Sequence, residues 1–152
     1  MLNELEILCE NEDLMPTRAH PTDAGLDLKV KENTFLSLNC RTMAKTGVRV
    51  KIPKGYVGLL FARSSLSKRG ILLTNGVGVI DSDYRGEIMA PLLYTNMTGN
   101  LCMPIHKLEK FERIVQLVIQ PIALPQPKLF IGSESDWLDT QRGEGGFGSS
   151  GK

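Results

Sequence analysis

Short apolar runs, broken by glycine and proline, recur along the first 122 residues of the chain. They are rich in β-branched and aliphatic residues, and turn signals such as Pro53-Lys54-Gly55 and Thr98-Gly99-Asn100 lie between them. We find no sustained helical period. Strands of about four to ten residues joined by frequent turns predict an all-β barrel or sandwich. The runs are residues 34–40, 47–53, 55–62, 71–80, 86–94 and 113–122.

A single short helix is predicted within the sequence SLSKR that precedes Gly70, with Ser64 or Ser65 as its N-cap. Residues 1–17 are compatible with two arrangements, a strand of the barrel or a segment that pairs across a subunit boundary. The sequence alone leaves both open.

The pattern changes after Pro121, because residues 123–141 contain two prolines and many polar side chains without alternation. We expect one domain, with a β-barrel core over 1–123 and a C-terminal arm with a glycine-rich lid over 124–152. Fully extended, residues 123–141 reach roughly 60 Å, which is far enough for the lid to lie on another subunit. Packing of Trp137 back onto its own barrel is the alternative.

Composition and charge exclude several classes of protein. The formal net charge of +1 gives no electrostatic basis for a nucleic-acid or membrane partner. No apolar stretch approaches the ~20 residues of a membrane span, and the acidic N-terminal segment does not resemble a signal peptide. Three widely spaced cysteines predict reduced thiols in the cytoplasm, with a nuclear location or a viral origin left open.

The segment TNGVGVIDSDYRGEI, residues 74–88, contains the strongest candidate chemistry. Its glycines suit a hairpin whose backbone approaches a ligand closely. Asp81 and Asp83 alternate, so on a strand they would point the same way and could bind a metal or divide acid and base roles. A solvated turn with Asx caps is the alternative interpretation.

Three other segments carry weaker candidates. ARSSLSKRG (62–70) places an arginine and two hydroxyls at a helix start, which suits either a phosphate site or a simple N-cap. TDAGLDL (22–28) favours a turn that enters a strand. Gln116 is a polar residue in an apolar strand, so its amide is either bonded structurally or directed at a ligand. No Cys–His or Ser–His spacing indicates a covalent nucleophile.

The C-terminal sequence RGEGGFGSSGK combines flexible glycines with an arginine, an aromatic residue and two serines. It contains most of a P-loop pattern, but the required helix and hydroxyl residue do not follow Lys152. The sequence therefore does not favour a P-loop, although the donors present still suit phosphate.

The segments AGLDL, RSSLSKRG, GVIDSDYRGE, ERIVQL and RGEGGFGSSG occur in this order over nearly the whole chain. Together they resemble the five motifs of the trimeric dUTPase family. The resemblance implies a jelly-roll-like β-barrel, a homotrimer whose active sites use motifs from all three chains, and a dUTP diphosphatase. Such an enzyme hydrolyses dUTP to dUMP and pyrophosphate with Mg²⁺, which limits uracil incorporation into DNA and supplies dUMP for dTMP synthesis.

The resemblance also implies roles for the residues that match the motifs. Asp81 resembles the general base that deprotonates the attacking water, and Asp27 resembles the carboxylate that contacts Mg²⁺ through metal-bound water. The residues expected to hold the phosphate chain are Arg63, Ser64, Ser65 and Gln116.

The nucleoside is expected to lie on the third motif. Tyr84 matches the aromatic residue beneath the deoxyribose that excludes a 2′-hydroxyl group. The residues expected to read uracil or join this substrate-binding set are Asn75, Gly78, Val79, Ile80 and Met89. In the lid, Phe147 resembles the residue that stacks on uracil, and the residues expected to close on the terminal phosphates are Arg142, Gly148, Ser149 and Ser150.

Departures from the family pattern at Ala62, Ser65, Ser150 and Phe111-Glu112 are mild, because they keep the charge and hydroxyl chemistry. Two competing hypotheses remain. The related dCTP deaminases share RSSL, but they need a glutamate within the strand after the third motif, and here the only acid, Glu87, stands at its start. A nucleotide-controlled regulatory protein on the same fold is the second.

Overall fold

The computed structural model describes residues 4–95 and 104–145 of the chain. Within these ranges strands predominate, as the short apolar runs predicted. The strands are β1 (Glu6–Cys9), β2 (Leu26–Lys29), β3 (Thr34–Ser37), β4 (Arg41–Lys45), β5 (Val48–Lys51), β6 (Tyr56–Ala62), β7 (Ile71–Leu73), β8 (Gly78–Ile80), β9 (Met89–Tyr94), β10 (Ile105–Leu108) and β11 (Arg113–Pro121). The helical elements are a 3₁₀ turn (Glu12–Leu14), α1 (Ser64–Ser67) and α2 (Glu134–Trp137).

The described strands form antiparallel sheets that surround one core. Two sheets are pairs, β1 with β5 and β10 with β3. The third has the order β4-β9-β7, and the largest has the order β2-β11-β6-β8. The all-β fold class is therefore confirmed. The sheet that contains β11 matters most here, because it brings together segments from both ends of the sequence.

Alternation of apolar and polar residues explains why these segments form half-buried strands. In β5, Val48 and Val50 face the core, while Arg49 and Lys51 face outward. The same alternation on the other strands builds one contiguous apolar core. Its largest fully buried side chains are Leu28, Leu36, Ile52, Leu60, Leu66, Ile71, Ile88, Leu92, Leu108, Ile114, Leu117 and Val30.

Two strands that the sequence did not indicate are β4 and β10. Strand β4 buries only Ala44 fully, and β10 buries only Leu108, so neither has the apolar content that predicts a strand. Both are held by ladders to β9 and β3, which are distant in sequence. The N-terminal segment contributes a strand to the fold of its own chain, because β1 pairs with β5.

The helices differ from the prediction in two respects. Helix α1 has Arg63 as its N-cap, with no side-chain capping bond, so the predicted capping role of Ser64 or Ser65 was wrong. Helix α2 was not predicted, although a capping box between Ser133 and Asp136 marks its start. Among the helices of the described residues, none has the length and apolar character needed to cross a membrane.

Candidate functional site

An open cavity of about 370 Å³ lies where β2, β11 and the end of β6 meet. In the ladders Gln116 of β11 lies opposite Asp27 of β2 and Phe61 of β6, so these three side chains share one face of the sheet. Four predicted site residues line the cavity: Asp27, Arg63, Ser64 and Gln116. The other lining residues are Ala19, Asp23, Ala24, Gly25, Phe61 and Val118.

Asp27 is a buried carboxylate held between two guanidinium groups. Its Oδ1 lies 2.9 Å from Nε of Arg63, and its Oδ2 lies 3.3 Å from Nη1 of Arg113. Only 10% of the Asp27 side chain is exposed, so the two arginines supply the charge compensation that burial requires. An ionised carboxylate accepts at about four lone-pair positions, and the arginines leave room there for a further donor such as water.

The backbone places Arg63 at this edge of the sheet. Its N–H donates to the carbonyl of Ile114 at 3.2 Å, which continues the β6–β11 pairing past the end of β6. Its Nη1 lies 3.4 Å from the carbonyl oxygen of Arg113. Because the guanidinium has five N–H donors and Asp27 engages the one on Nε, donors on the outer nitrogens are available for an anion in the cavity.

Gly25 lets the amide of Gln116 lie against the backbone. A Cβ atom at position 25 would lie 2.6 Å from Oε1 and 3.0 Å from Cβ of Gln116. Any larger residue would therefore push the amide out of its place. The half-buried amide presents both a donor and an acceptor to the cavity beside Asp27.

Helix α1 carries the two hydroxyls of the second motif. Ser64 is exposed and lines the cavity, whereas Ser65 is exposed but does not line it. Neither hydroxyl caps the helix, since Arg63 occupies the N-cap without a side-chain bond. The structure thus brings Ser64 to the cavity with Asp27 and Arg63, and it leaves Ser65 beside them.

The third motif forms a second group of candidates. Strand β8 pairs with β6, whereas β7 pairs with β9, so the strands on either side of the turn belong to different sheets and not to one hairpin. The carboxylates of Asp81 and Asp83 do not lie on a strand either, because β8 ends at Ile80. A turn follows, in which the N–H of Tyr84 donates to the carbonyl of Asp81 at 3.1 Å. The two carboxylates therefore belong to a turn, which was the alternative interpretation, and not to one face of a strand.

Tyr84 folds back over the turn that contains it. Its hydroxyl donates to the carbonyl of Glu87 at 3.0 Å, and 41% of the residue is exposed. The guanidinium of Arg85 closes the turn by donating to the carbonyls of Ser82 and Tyr84, each at 2.8 Å. Asp81 is exposed beside this turn. The remaining candidates are the buried Gly78, the half-buried Ile80, and the exposed Asn75, Val79 and Met89.

The two groups lie at opposite ends of β6. Ile80 pairs with Gly58, so Asp81 follows on opposite Val57, while Arg63 comes just after the other end of β6. Six residues at ~3.3 Å each separate these two points by about 20 Å. Within one chain, therefore, the structure does not bring Asp81 into the cavity of Arg63.

The C-terminal arm contributes one further described candidate. Arg142 is exposed, and its Nε donates to the carbonyl of Gly145 at 2.6 Å. The predicted lid residues Phe147, Gly148, Ser149 and Ser150 lie outside the described residues.

No group of three or more His, Cys, Asp or Glu side chains within residues 4–95 and 104–145 could hold a metal ion. Asp27 fits the outer role that the resemblance implies, since its carboxylate retains capacity for a metal-bound water beside donors suited to phosphate.

Sequence reasoning missed Arg113 and several of the cavity's walls. Arg113 is 86 positions from Asp27 and reaches it only through the β2–β11 ladder. The sequence did contain one indication of this role, because Arg113 stands three residues before Gln116 in the same predicted strand. Asp23 was noticed only as part of a turn, where its Oδ2 accepts from the N–H of His20 at 2.9 Å.

A family model for dUTPases matches residues 11–151 of the chain. The deoxyuridine 5′-triphosphate nucleotidohydrolase of Corynebacterium jeikeium is 40% identical over 138 residues, which cover 90% of this chain and 85% of that protein. The enzyme of the same name from Cutibacterium acnes is 41% identical over 140 residues, which cover 91% and 86%.

Solved structures show the same similarity. The dUTPase of Staphylococcus bacteriophage 80alpha, in complex with dUPNHPP, aligns with a TM-score of 0.86 and 33% identity over 99% of this chain and 100% of that chain. A mutant dUTPase from phage phi11 of S. aureus, described with a structural Mg(II) ion, aligns with a TM-score of 0.77 and 29% identity over 88% and 100%.

Proposed function

Because the chain belongs to the dUTPase family, as its five motifs predicted, we propose that it is an enzyme that hydrolyses dUTP to dUMP and pyrophosphate. The observation that carries this proposal is the cavity in which Asp27, Arg63, Ser64 and Gln116 meet. These residues come from three separate motifs, and together they offer donors for a phosphate chain beside one carboxylate. The match to dUTPases over residues 11–151 also favours this function over cytosine deamination.

In the proposed reaction, water attacks the α-phosphorus of dUTP and Asp81 accepts its proton. The bond from the α-phosphorus to the bridging oxygen breaks, and pyrophosphate leaves with the bonding electrons. Phosphoryl chemistry of this kind depends on positioned charge and an oriented nucleophile more than on covalent catalysis. Asp81 suits the role of base because it is exposed at the end of β8, where a water molecule can reach its carboxylate.

The phosphate chain is proposed to bind in the cavity. Arg63 supplies fixed positive charge there, since Asp27 and the backbone hold its guanidinium at the edge of the sheet. Ser64 and Gln116 add uncharged donors, and Ser65 stands beside them. A bound Mg²⁺ would neutralise charge on the phosphates and polarise the α-phosphorus. Asp27 is the residue proposed to hold the ion, through metal-bound water.

The nucleoside is proposed to lie on the third motif. Backbone groups of Gly78, Val79 and Ile80, with the side chain of Asn75, would read the uracil edge, and Met89 would border it. The ring of Tyr84 would lie beneath the deoxyribose and exclude a 2′-hydroxyl. Val79 is 63% exposed and Tyr84 is 41% exposed, which supports a role for this surface in binding a ligand or a second chain.

The separation of about 20 Å along β6 supports a site shared between chains. Neither group can act alone in the proposed reaction, so the phosphate cavity of one chain must meet Asp81 of another. Apolar side chains that are more than a third exposed lie in the third motif and on the β4-β9-β7 sheet, and they suit burial against a second copy. They are Met43, Leu72, Val77, Val79 and Met89. We propose the homotrimer typical of the family as this assembly.

The C-terminal arm is proposed to close over the bound nucleotide. Arg142, Gly148, Ser149 and Ser150 would contact the terminal phosphates, while Phe147 would stack on uracil. Closure would exclude water from the side and complete the site. The thiols of Cys9 and Cys40 are free, in keeping with a reducing cytoplasm as the proposed location. There the enzyme would limit uracil in DNA and supply dUMP.

The decisive test is pyrophosphate release with Mg²⁺ from dUTP, dCTP, dTTP and UTP in parallel, with the Asp81→Asn variant as control. We expect release from dUTP alone, and we expect the variant to lose it. Release from none of the four by the unaltered protein would contradict the proposed function.

A regulatory role is a second candidate, and one observation favours it. The phage 80alpha dUTPase, which aligns over 99% of this chain, belongs to phage dUTPases described as controlling transfer of virulence genes by a G protein-like mechanism. Tight dUTP binding without hydrolysis would make such a switch the better description of this chain.

A further inference from the structure

The position of the Tyr84 ring depends on Gly86 and Glu87, which follow it in the same loop. A Cβ atom built on Gly86 would overlap Oη of Tyr84 and would lie 2.5 Å from Cζ and 2.9 Å from Cε2 of the same ring. The ring therefore occupies the space that any side chain at position 86 would need. On the same side, the Tyr84 hydroxyl donates to the carbonyl of Glu87 at 3.0 Å.

Glu87 in turn fixes the loop to the turn between β4 and β5. Its Oε1 accepts from the N–H of Gly47 at 2.7 Å and lies 3.8 Å from Nζ of Lys31. The next residue, Ile88, bonds to the same turn and to the start of β5. Its N–H donates to the carbonyl of Val48 at 2.8 Å, and its carbonyl accepts from Thr46 Oγ1 at 2.6 Å. The carbonyl that receives the Tyr84 hydroxyl is thus anchored to the core.

We propose that Gly86 and Glu87 are positioning residues that determine the selectivity of this site for deoxyribose over ribose. The inference rests on the proposed function, in which the Tyr84 ring lies beneath the sugar. Exclusion of a 2′-hydroxyl requires that the ring stays in place. If the ring could move aside, ribose would bind at little cost in free energy. Gly86 leaves space for the ring in this position, and the carbonyl of Glu87 holds its hydroxyl there.

The Gly86→Ala variant tests the first half of this proposal. Gly86 is not among the described residues with positive φ, so alanine fits the backbone and the added methyl acts on the ring. We expect the ratio of kcat/KM for dUTP to kcat/KM for UTP to fall about tenfold or more, mainly through a higher KM for dUTP. UTP, which gains nothing from the ring in its present position, should lose little.

A double-mutant cycle with Tyr84→Phe separates this mechanism from a general effect on the loop. The shortest contact of the added methyl is with Tyr84 Oη, so removal of the hydroxyl relieves part of the clash. If Gly86 acts through Tyr84, the effects of Gly86→Ala and Tyr84→Phe on the selectivity ratio are not additive. Additive effects would overturn the role assigned to Gly86.

Two substitutions of Glu87 form a matched pair. Glu87→Gln keeps an oxygen for the buried N–H of Gly47, whereas Glu87→Ala leaves that N–H without its partner. We expect glutamine to retain most of the selectivity and alanine to lose it. Equal selectivity in both variants would contradict the positioning role, and this pair also decides the question if Gly86→Ala does not fold.

The Tyr84→Ala variant distinguishes failure of this inference from failure of the proposed function. An unaltered protein without dUTP hydrolysis would overturn both. If the unaltered protein hydrolyses dUTP and Tyr84→Ala lowers the selectivity ratio, unchanged ratios in the Gly86 and Glu87 variants would overturn this inference alone. Thermal unfolding of every variant should accompany the kinetics, so that a ratio is compared only between folded proteins.

Discussion

The phosphate cavity and the nucleoside loop are built in different ways. The cavity depends on Asp27, Arg63 and Gln116, which are distant in sequence and meet only because β11 lies between β2 and β6. The loop combines contacts between close neighbours, such as the bond from Tyr84 to Glu87 three residues later, with one anchor, where Glu87 accepts from the N–H of Gly47. The cavity therefore requires the register of a whole sheet, whereas the loop requires its own turn and the anchor at Glu87.

The two regions also differ in how much stability is lost when one of their residues is substituted. The carboxylate of Asp27 is buried, so loss of a partner leaves charge without compensation and weakens the fold together with the site. Asp81 and Tyr84 of the nucleoside loop are exposed, and substitution of Asp81 should change the reaction with little effect on stability. Substitutions in the cavity should therefore lower stability and activity together, whereas substitution of Asp81 in the loop should lower activity alone.

The largest effects are expected from Asp81→Asn and Arg63→Ala, one in each region. Asparagine cannot accept a proton, so kcat should fall about 10³-fold while stability stays within about 0.5 kcal/mol. Arg63→Ala should raise KM for dUTP and also destabilise the protein by about 2 kcal/mol, since Arg113 still compensates Asp27 in part.

Steady-state kinetics and denaturant unfolding of both variants measure these effects. Arg63→Lys serves as the control, because it keeps the charge but cannot reproduce the planar fork of donors. An Asp81→Asn variant that is as unstable as Arg63→Ala would contradict the division between the two regions.

Mixing these two impaired variants, assayed at a dUTP concentration well below the raised KM, tests where the regions meet. If each site joins the cavity of one chain to Asp81 of another, random assembly of co-expressed Arg63→Ala and Asp81→Asn chains leaves about one quarter of the sites intact. Activity should then recover to about that fraction of the unaltered enzyme. A mixture that stays inactive, although mass analysis shows mixed assemblies, would place both groups of each site in one chain.

A smaller effect is expected from Gly25→Ala, which acts inside the cavity without removing a charge. The added methyl must displace Gln116, whose Cβ lies only 3.0 Å from the new atom. We expect kcat/KM for dUTP to fall about tenfold and the free energy of unfolding to fall by about 1–3 kcal/mol. Combination with Gln116→Ala is the control, because the two effects should overlap if Gly25 acts through that amide.

The smallest effect concerns the support behind the cavity. Arg69 Nη2 lies 2.6 Å from Oε1 of Glu112, which connects the segment after α1 to the turn before β11. His106 lies beside this pair and contacts Tyr94 in a tilted arrangement, with ring centroids 5.4 Å apart. Burial, and then the charge of Arg69, lower the pKa of His106 below its usual value of 6.5, while Glu112 opposes the shift.

Because the folded protein disfavours protonated His106, the unfolded chain binds more protons at acidic pH. Stability contributed by neutral His106 is therefore present above pH 6.5 and decreases as the pH falls below that value. We expect His106→Gln to reduce the dependence of Tm on pH between about 7 and 5. Identical slopes of Tm against pH in both proteins would contradict this assignment.

The nucleoside loop and the phosphate cavity also differ in how far they could be predicted from the sequence. The nucleoside loop could be identified from the sequence because its residues form one continuous segment. The sequence did not reveal that β7 and β8 belong to different sheets. Residues of the cavity were recognised one motif at a time, but the contact of Asp27 with Arg113 depends on strand register across 86 positions. Strands β4 and β10 escaped prediction because pairing, and not apolar content, holds them in the sheet.

The arm contains a feature that makes the protein its own optical probe. Trp137 is the only tryptophan of the chain, so its emission reports on the arm without background from the barrel. It ends helix α2, is 65% exposed, and meets Phe130 edge to face with ring centroids 5.1 Å apart. Since an indole that leaves water changes the colour and intensity of its fluorescence, movement of the arm can be followed in real time and without a label.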